Sequence, residues 1–87
     1  MTQLTDLPNI GKELAKKLVE VGIENAEALK STGSERAFIL ISAIDSSACI
    51  NMLYALEGAV QGIRWHQLSL ERKQELKIFF NMLKKKN

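Results

Sequence analysis

The sequence predicts an all-α fold, organised as a compact bundle of five or six helices. Three observations favour this class: apolar residues recur at helical spacing, helix-capping residues separate the segments, and no apolar segment has a second strand to pair with. The chain has 87 residues, of which 46% are hydrophobic, so it has the length of one domain and enough apolar side chains for a core. We therefore expect residues 1–87 to form a single domain.

The first helix is predicted over residues 12–21. Its apolar residues keep the i, i+1, i+4, i+5 spacing of one helix face, namely Leu14, Ala15, Leu18 and Val19. Gly22 stands where a glycine in the left-handed conformation commonly ends a helix, and Ile23 can fold back onto the last turn. The pattern indicates an amphipathic helix with one buried face.

Two further helices are predicted before residue 45. Asn25 is a suitable N-cap for a short helix over residues 26–31, which Thr32 and Gly33 would end. Residues 36–44 are nearly all apolar and include several β-branched side chains, so periodicity alone does not separate a buried strand from a buried helix. We interpret this segment, with Ser34 as its cap, as a central buried helix because a strand would have no partner.

A long fourth helix is predicted from Ser46 or Ser47 to about Gly62. Its expected inner stripe consists of Cys49, Leu53, Leu56 and Val60. Glycine in a helix interior costs about 1 kcal/mol relative to alanine. We therefore expect Gly58 to mark a place where another part of the chain packs closely against this helix.

The last helix is predicted to begin after Ser69 and to direct Leu76, Phe79, Phe80 and Leu83 inward. Phe79, Phe80 and Met82 cannot all face the core from one helix, so one of them is a candidate contact residue at the surface. The chain ends in a basic run, Lys84, Lys85 and Lys86. We interpret this run as a solvated tail that complements the negative helix end, with a phosphate contact as the alternative.

Composition excludes several classes of function. With one cysteine and one histidine, Cys49 and His66, the chain has neither an internal disulfide nor a metal-ligand set, and a lone thiol fits the reducing cytoplasm. The sequence contains no membrane-spanning apolar stretch and no signal peptide. It also lacks catalytic carboxylate pairs, phosphate-binding glycine loops and nucleophile arrangements. We expect no catalytic activity, no cofactor, no metal and no small-molecule substrate.

The segment Leu7-Pro-Asn-Ile-Gly-Lys12 predicts a tight turn directly before a helix. The first amides of a helix are free to bind an anion, and Lys12 and Lys16 add positive charge one turn apart. Together with Ala15 and Leu18, the segment resembles the hairpin and second helix of the helix-hairpin-helix module, although Asn9 occupies the place of the first glycine. This resemblance implies contacts with DNA or RNA phosphates from Pro8, Asn9, Ile10, Gly11, Lys12 and Lys16. The alternative is a hairpin that only joins two packed elements.

A second resemblance extends from about Leu4 to Leu76. Its most specific parts are Leu56-Glu-Gly-Ala59 and Gly62-Ile-Arg-Trp65-His66. These residues, with the Asn9-Ile-Gly11 and Val21-Gly-Ile23 segments, resemble the C-terminal domain of the TfoX/Sxy family. Members of that family are bacterial regulators associated with DNA uptake competence and usually carry an additional N-terminal domain. The resemblance implies a stand-alone C-terminal-like domain without that N-terminal part, and an accessory or regulatory function.

The residues shared with the family fit structural roles better than catalytic ones: Leu56, Glu57, Gly58, Ala59 and Trp65. We interpret Glu57 as a carboxylate that pairs with Arg64 or with a helix end. Trp65 is interpreted as a plug over the core, with an anchor for a partner as the alternative. His66 has no group beside it that would make it a general base, and the role of Tyr54 is open.

Two functions are consistent with these observations. The first is a nucleic-acid accessory domain in which Lys12, Lys16 and also Lys17 contact the backbone; the net charge of +2 alone does not favour it. The second is a protein-interaction domain or homodimer with a purely structural hairpin, which the high apolar fraction favours. A membrane partner is not expected.

Overall fold

Five α-helices and two short 3₁₀ helices make up the fold. The computed structural model describes residues 2–85, and this range contains no strand. The helices are α1 (Lys12–Glu20), α2 (Ala26–Thr32), α3 (Ser34–Ile44), α4 (Ile50–Gln61) and α5 (Leu70–Lys85), with 3₁₀ helices at Leu4–Asp6 and Trp65–Gln67. The predicted all-α class and number of helices are confirmed. Lys86, which the sequence assigns to the basic tail, lies outside the described residues.

The core lies around α3 and α4, and every α-helix contributes to it. Seven large side chains are fully buried: Leu18, Leu29, Phe38, Ile41, Leu53, Leu56 and Leu76. Burial of a side chain of this size stabilises the folded state by about 1.5–3 kcal/mol. The interpretation of residues 36–44 as a central buried helix is confirmed, because α3 supplies both Phe38 and Ile41. The assignment of Ser34 as its cap is wrong: Ser34 is the first residue of α3, and its hydroxyl donates a hydrogen bond to Glu57 instead.

Local capping residues define α1 and α2 as predicted. Gly22 has a φ of +92°, the Ile23 N–H donates to the Leu18 carbonyl at 2.8 Å, and the Gly22 N–H donates to the Val19 carbonyl at 3.0 Å. This pair of hydrogen bonds is the left-handed helix ending expected at a glycine. The Asn25 side chain accepts a hydrogen bond from the Ala28 N–H at 2.8 Å and so caps α2, which extends to Thr32.

The start of α4 differs from the prediction. Asp45 accepts hydrogen bonds from the backbone N–H of Ser47 at 2.9 Å and, through its carbonyl, from the Ala48 N–H at 3.2 Å. This local turn competes with the helix for the backbone, so α4 begins at Ile50 instead of Ser46 or Ser47. Cys49 is then the exposed residue that precedes the helix, and its assignment to the inner stripe is wrong.

Helix α5 carries one fully buried residue, Leu76, near its middle. Phe80 packs on Phe38 with 5.8 Å between the ring centroids, while Phe79 is half-buried and Met82 is 60% exposed. The prediction that Phe79, Phe80 and Met82 cannot all face inward is therefore confirmed. Near the end of the helix, the Lys84 ammonium lies 5.4 Å from the Phe80 ring centroid.

Candidate nucleic-acid interface

Residues 8–12, which we term the N-terminal hairpin, connect the first 3₁₀ helix to α1. Leu7 and Ile10 are buried at either side of the turn and fix it to the core. Asn9, between them, has a φ of +71°, a left-handed conformation that asparagine tolerates better than most residues. A three-residue 3₁₀ helix precedes the hairpin, so the described chain has no α-helix in the place of the first helix of a helix-hairpin-helix module.

The Asn9 side chain fastens this hairpin to the far end of α4. Its amide nitrogen donates to the Ile63 carbonyl at 2.9 Å and to the Ala55 carbonyl at 3.4 Å, and its oxygen accepts from the Trp65 N–H at 3.2 Å. A Cβ atom at Gly58 would lie 2.5 Å from the Asn9 amide nitrogen and 2.7 Å from the Ile63 carbonyl oxygen. The close packing predicted at Gly58 is confirmed, and the neighbours are the hairpin, through Asn9, and the segment after α4, through Ile63 and Trp65.

The start of α1 is open to solvent. Gly11 precedes the helix in an extended conformation, and no side-chain cap is formed there. The first helical hydrogen bond runs from the Ala15 N–H to the Gly11 carbonyl at 3.0 Å, which leaves the amides of Lys12, Glu13 and Leu14 without a helix partner. A Cβ atom added at Gly11 would meet nothing within 4 Å. Residues 11–13 are exposed, so this end of the helix is accessible from solvent.

Two lysines of the predicted site flank this open end, and a third does not. Lys12 and Lys16 are exposed and form no ion pair among residues 2–85. Lys17 instead forms an ion pair with Asp45. Hydrogen bonds from Lys17 and Ser47 lower the pKa of Asp45 to about 2, and the same contact with Asp45 raises the pKa of Lys17. The prediction that Lys17 contacts a nucleic acid is thus not supported, since its charge is already paired.

Of the remaining predicted contact residues, three serve the fold. Asn9 is committed to its three hydrogen bonds, Ile10 is 5% exposed, and Pro8 is half-buried. Their role at the site is to hold the exposed part, Gly11 and the two lysines, in a fixed position. The structure therefore divides the predicted contact residues into an anchored base, Pro8, Asn9 and Ile10, and an exposed tip, Gly11, Lys12 and Lys16.

Glu57 forms a buried polar network, with a partner other than the predicted one. Its carboxylate accepts hydrogen bonds from Ser34 at 2.6 Å, Gln61 at 2.6 Å and Arg72 at 3.1 Å. The predicted pairing with Arg64 is wrong, because α5 packs across α4 and brings Arg72 to the carboxylate. Burial opposes ionisation, but the hydrogen bonds from Arg72, Ser34 and Gln61 outweigh it and lower the pKa of Glu57. Arg72 also pairs with two further carboxylates, Glu35 and Glu75.

We expect the domain to lose stability in acid because of these carboxylates. Glu57 and Asp45 have pKa values in the folded state below their ordinary values of 4.5 and 3.8. A group with a lowered pKa contributes stability above its unfolded-state pKa and loses that contribution as the pH falls through its folded-state pKa. The free energy of unfolding should therefore stay level near neutrality and fall between about pH 4.5 and about pH 2.

Urea unfolding followed by circular dichroism at several pH values measures this loss. Replacing Asp45 by Asn removes one of the carboxylates with a lowered pKa and should make the decline shallower. A free energy of unfolding that stays constant down to about pH 2 would contradict the lowered pKa values of Glu57 and Asp45.

The structure also shows a group of stacked rings that the sequence does not predict. The rings of Tyr54 and Trp65 are 6.0 Å apart at 11°, and those of Trp65 and His66 are 4.2 Å apart at 27°. The Lys73 ammonium lies 5.6 Å from the Trp65 ring centroid. We term Tyr54, Trp65 and His66 the aromatic stack. Because Asn9 binds the backbone of Trp65, the stack and the N-terminal hairpin are held against each other.

A second exposed surface lies between α3 and α5. An apolar groove, which we term the α3–α5 groove, is lined by Ile39, Phe79, Met82 and Leu83. Ile39 is 43% exposed, and Ile78, one turn before Met82 on α5, is 60% exposed. This is the surface on which a protein partner would find apolar side chains.

Metal-ligand clusters and membrane-spanning helices are both absent from the described part of the chain. Between residue 2 and residue 85, no three His, Cys, Asp or Glu side chains come together in a way that would hold a metal ion. No helix within the same range is both long and apolar enough to cross a membrane.

Comparison with known proteins gives one family and two curated relatives. A family model described as the TfoX C-terminal domain matches residues 1–80. The chain is 36% identical over 74 residues to Protein Sxy of Escherichia coli (strain K12), covering 85% of this chain and 35% of that protein. It is 30% identical over 87 residues to the DNA transformation protein TfoX of Haemophilus influenzae, covering 100% of this chain and 40% of that protein. The chain thus spans well under half the length of both relatives.

Two solved structures share the fold closely, and both are of proteins from Listeria monocytogenes. One, a crystal structure of an uncharacterized protein in a triclinic form, superposes with a TM-score of 0.94 at 52% identity, covering 95% of this chain and 94% of that one. The other, a tetragonal form of a protein of unknown function, gives a TM-score of 0.91 at 53% identity, covering 93% and 99%.

Proposed function

Because this chain belongs to the TfoX C-terminal domain family, we propose that it is a cytoplasmic, non-enzymatic accessory domain that binds the phosphate backbone of nucleic acids. Contact is made by the exposed tip of the N-terminal hairpin, and binding is independent of base sequence. One relative is named for DNA transformation, and the proposal extends a DNA-related or competence-related regulatory role to this chain. Residues 1–87 act as a single unit in this role.

The open N-terminus of α1 beside Lys12 and Lys16 is the observation that carries the proposal. Amides at a helix N-terminus donate hydrogen bonds to phosphate oxygens, and the helix dipole adds favourable electrostatic energy. Gly11 carries no side chain that would stand between a phosphate and this helix end, and the space beside its Cα is open. The two exposed lysines can each neutralise a neighbouring phosphate. Asn9 and Ile10 hold this tip rigid, so little ordering cost is incurred on binding.

Binding through so few charges is expected to be weak and sensitive to salt. With a net charge of +2, the domain has little long-range attraction for a polyanion. Non-specific affinities of this kind are on the order of 10⁻⁴ M near physiological salt. Two phosphate contacts predict a roughly tenfold loss of affinity when salt is raised from about 50 to about 200 mM.

Fluorescence anisotropy with a random-sequence duplex and a single strand tests this proposal. We expect binding at low salt, with an affinity that falls roughly tenfold when salt is raised from about 50 to about 200 mM. Binding should be lost in the Lys12→Glu/Lys16→Glu variant. Glutamate near a helix N-terminus is favourable to the helix, so this variant should fold normally.

The matched control is Lys30→Glu/Lys77→Glu, which alters two exposed lysines elsewhere and changes the net charge equally. We expect this control to retain most of the binding. Equal losses in the two double variants would show a general charge effect, and binding that survives Lys12→Glu/Lys16→Glu would contradict the assignment to the hairpin.

A protein-interaction function, including homodimerisation, is the second candidate. The exposure of Ile39, Ile78 and Met82 around the α3–α5 groove favours it, because exposed apolar side chains of this size gain free energy when a partner covers them. Sedimentation velocity over a range of concentrations measures self-association. A dimer that Ile78→Asp dissociates supports this function, whereas a monomer at every concentration contradicts homodimerisation through the groove.

A further inference from the structure

We propose that the aromatic stack is a nucleobase-binding site that makes the domain prefer single-stranded over double-stranded nucleic acid. A base of the bound strand stacks on His66, while the backbone of the same strand lies at the N-terminal hairpin. The inference rests on the proposed function, since the hairpin supplies the backbone contact, but it names a different set of residues and a different ligand group.

The ring geometry is that of a stack that can be extended. Trp65 stacks with both other rings: the Tyr54 centroid is 6.0 Å from the Trp65 centroid at 11°, and the His66 centroid is 4.2 Å from it at 27°. Tyr54 and Trp65 are half-buried and packed against the core, so they form a rigid support. His66 is the exposed member of the stack. A planar base that stacks on the exposed imidazole adds one more ring to this group.

Positive charge accompanies the rings. The Lys73 ammonium lies 5.6 Å from the Trp65 ring centroid, and Arg64, the residue before Trp65, is exposed. Proteins that bind single strands combine aromatic side chains that stack on bases with cations that follow the backbone. In a duplex the faces of the bases are covered by their neighbours, so this combination selects an unpaired base.

The hairpin and the stack are connected by a direct hydrogen bond. The Asn9 side chain accepts from the Trp65 N–H at 3.2 Å and donates to the Ile63 carbonyl at 2.9 Å, so Arg64 lies between two residues bound to the hairpin. These hydrogen bonds hold the exposed tip of the hairpin and the His66 imidazole in fixed positions relative to each other. A single strand can then reach both, with Arg64 at the junction.

The experiment compares a short oligodeoxyadenylate with an abasic strand of equal length and charge. We expect wild-type protein to bind the adenylate strand at least about fivefold more tightly, the lower limit for one stacked base. His66→Ala should bind both strands equally, with the affinity that wild-type protein has for the abasic strand. His66→Phe should restore the preference, because a neutral ring can stack although it carries no charge.

The imidazole signals give a direct readout, because His66 is the only histidine of the chain. Ring currents of a stacked adenine should shift these NMR signals, and the abasic strand should leave them in place. Equal affinities of wild-type protein for the two strands would overturn the base-stacking site but would remain consistent with a phosphate contact at the hairpin. A preference for adenylate that persists in His66→Ala would also overturn it. Absence of binding to either strand would reject the hairpin and the stack together.

Discussion

Replacing Arg72 by Met is expected to lower the free energy of unfolding by about 3 kcal/mol at neutral pH. Arg72 is the cation that compensates Glu57, whose side chain is 10% exposed, and the two are joined at 3.1 Å. Methionine keeps most of the side-chain volume but leaves the carboxylate with only neutral hydrogen-bond donors, Ser34 and Gln61. Removing one member of a buried ion pair is costly because the remaining charge has already lost its hydration.

Urea unfolding of the variant measures this effect, with Glu75→Gln as the matched control. Glu75 also pairs with Arg72, but its side chain is 54% exposed, and loss of such a pair should change stability by less than about 0.5 kcal/mol. Removing both charges in Arg72→Met/Glu57→Gln should recover part of the loss. Similar small costs for Arg72→Met and Glu75→Gln would contradict the role assigned to the buried network.

Replacing Gly58 by Ala is expected to destabilise the domain by about 2 kcal/mol, even though alanine is the better helix former. The new methyl group would lie 2.5 Å from the Asn9 amide nitrogen and 2.7 Å from the Ile63 carbonyl oxygen. The Asn9 side chain can move away only by giving up its hydrogen bonds, and the carbonyl belongs to the backbone. We therefore expect the hairpin to separate from α4 in this variant.

Two further variants separate this clash from a general glycine effect. Asn9→Gly keeps a residue that tolerates a φ of +71° and removes one of the two clashing groups. The double variant Gly58→Ala/Asn9→Gly should be more stable, by at least about 0.5 kcal/mol, than the sum of the two single changes predicts. Gly11→Ala, where a Cβ atom meets open space, should cost less than about 1 kcal/mol, because alanine is a poorer N-cap than glycine but meets no clash. A neutral Gly58→Ala would contradict the close packing of the hairpin on α4.

The parts of the fold that could be predicted from sequence depend on residues close together in the chain. The left-handed ending at Gly22 and the Asn25 cap use partners within five residues, so α1 and α2 follow from local chemistry. Gly58 also carried a usable signal, because an unfavourable residue inside a helix indicates close packing. The sequence could show that a neighbour was present but could not identify it.

The remaining features depend on contacts between distant residues. Asp45, Ser46 and Ser47 all have helix-capping chemistry, so the sequence does not show which of them ends the turn before α4; in the structure Asp45 forms that turn and also pairs with Lys17 on α1. The sequence indicated Arg64 as the partner of Glu57, and the actual partner, Arg72, is brought to the carboxylate only by the packing of α5 on α4. The aromatic stack joins Tyr54 on α4 to Trp65 in a 3₁₀ helix, which no periodic pattern links. The candidate site therefore emerged only in part from the sequence.

The central claim, that the tip of the N-terminal hairpin holds a nucleic-acid backbone, is tested most directly by an NMR titration of backbone amides at low salt. With a short single strand, the largest shifts are expected at Gly11, Lys12, Glu13 and Leu14, with smaller shifts at Arg64 and His66. Raising the salt concentration should reverse them. Shifts confined to residues of the α3–α5 groove, or no shifts at low salt, would contradict the claim and leave protein interaction as the function to pursue.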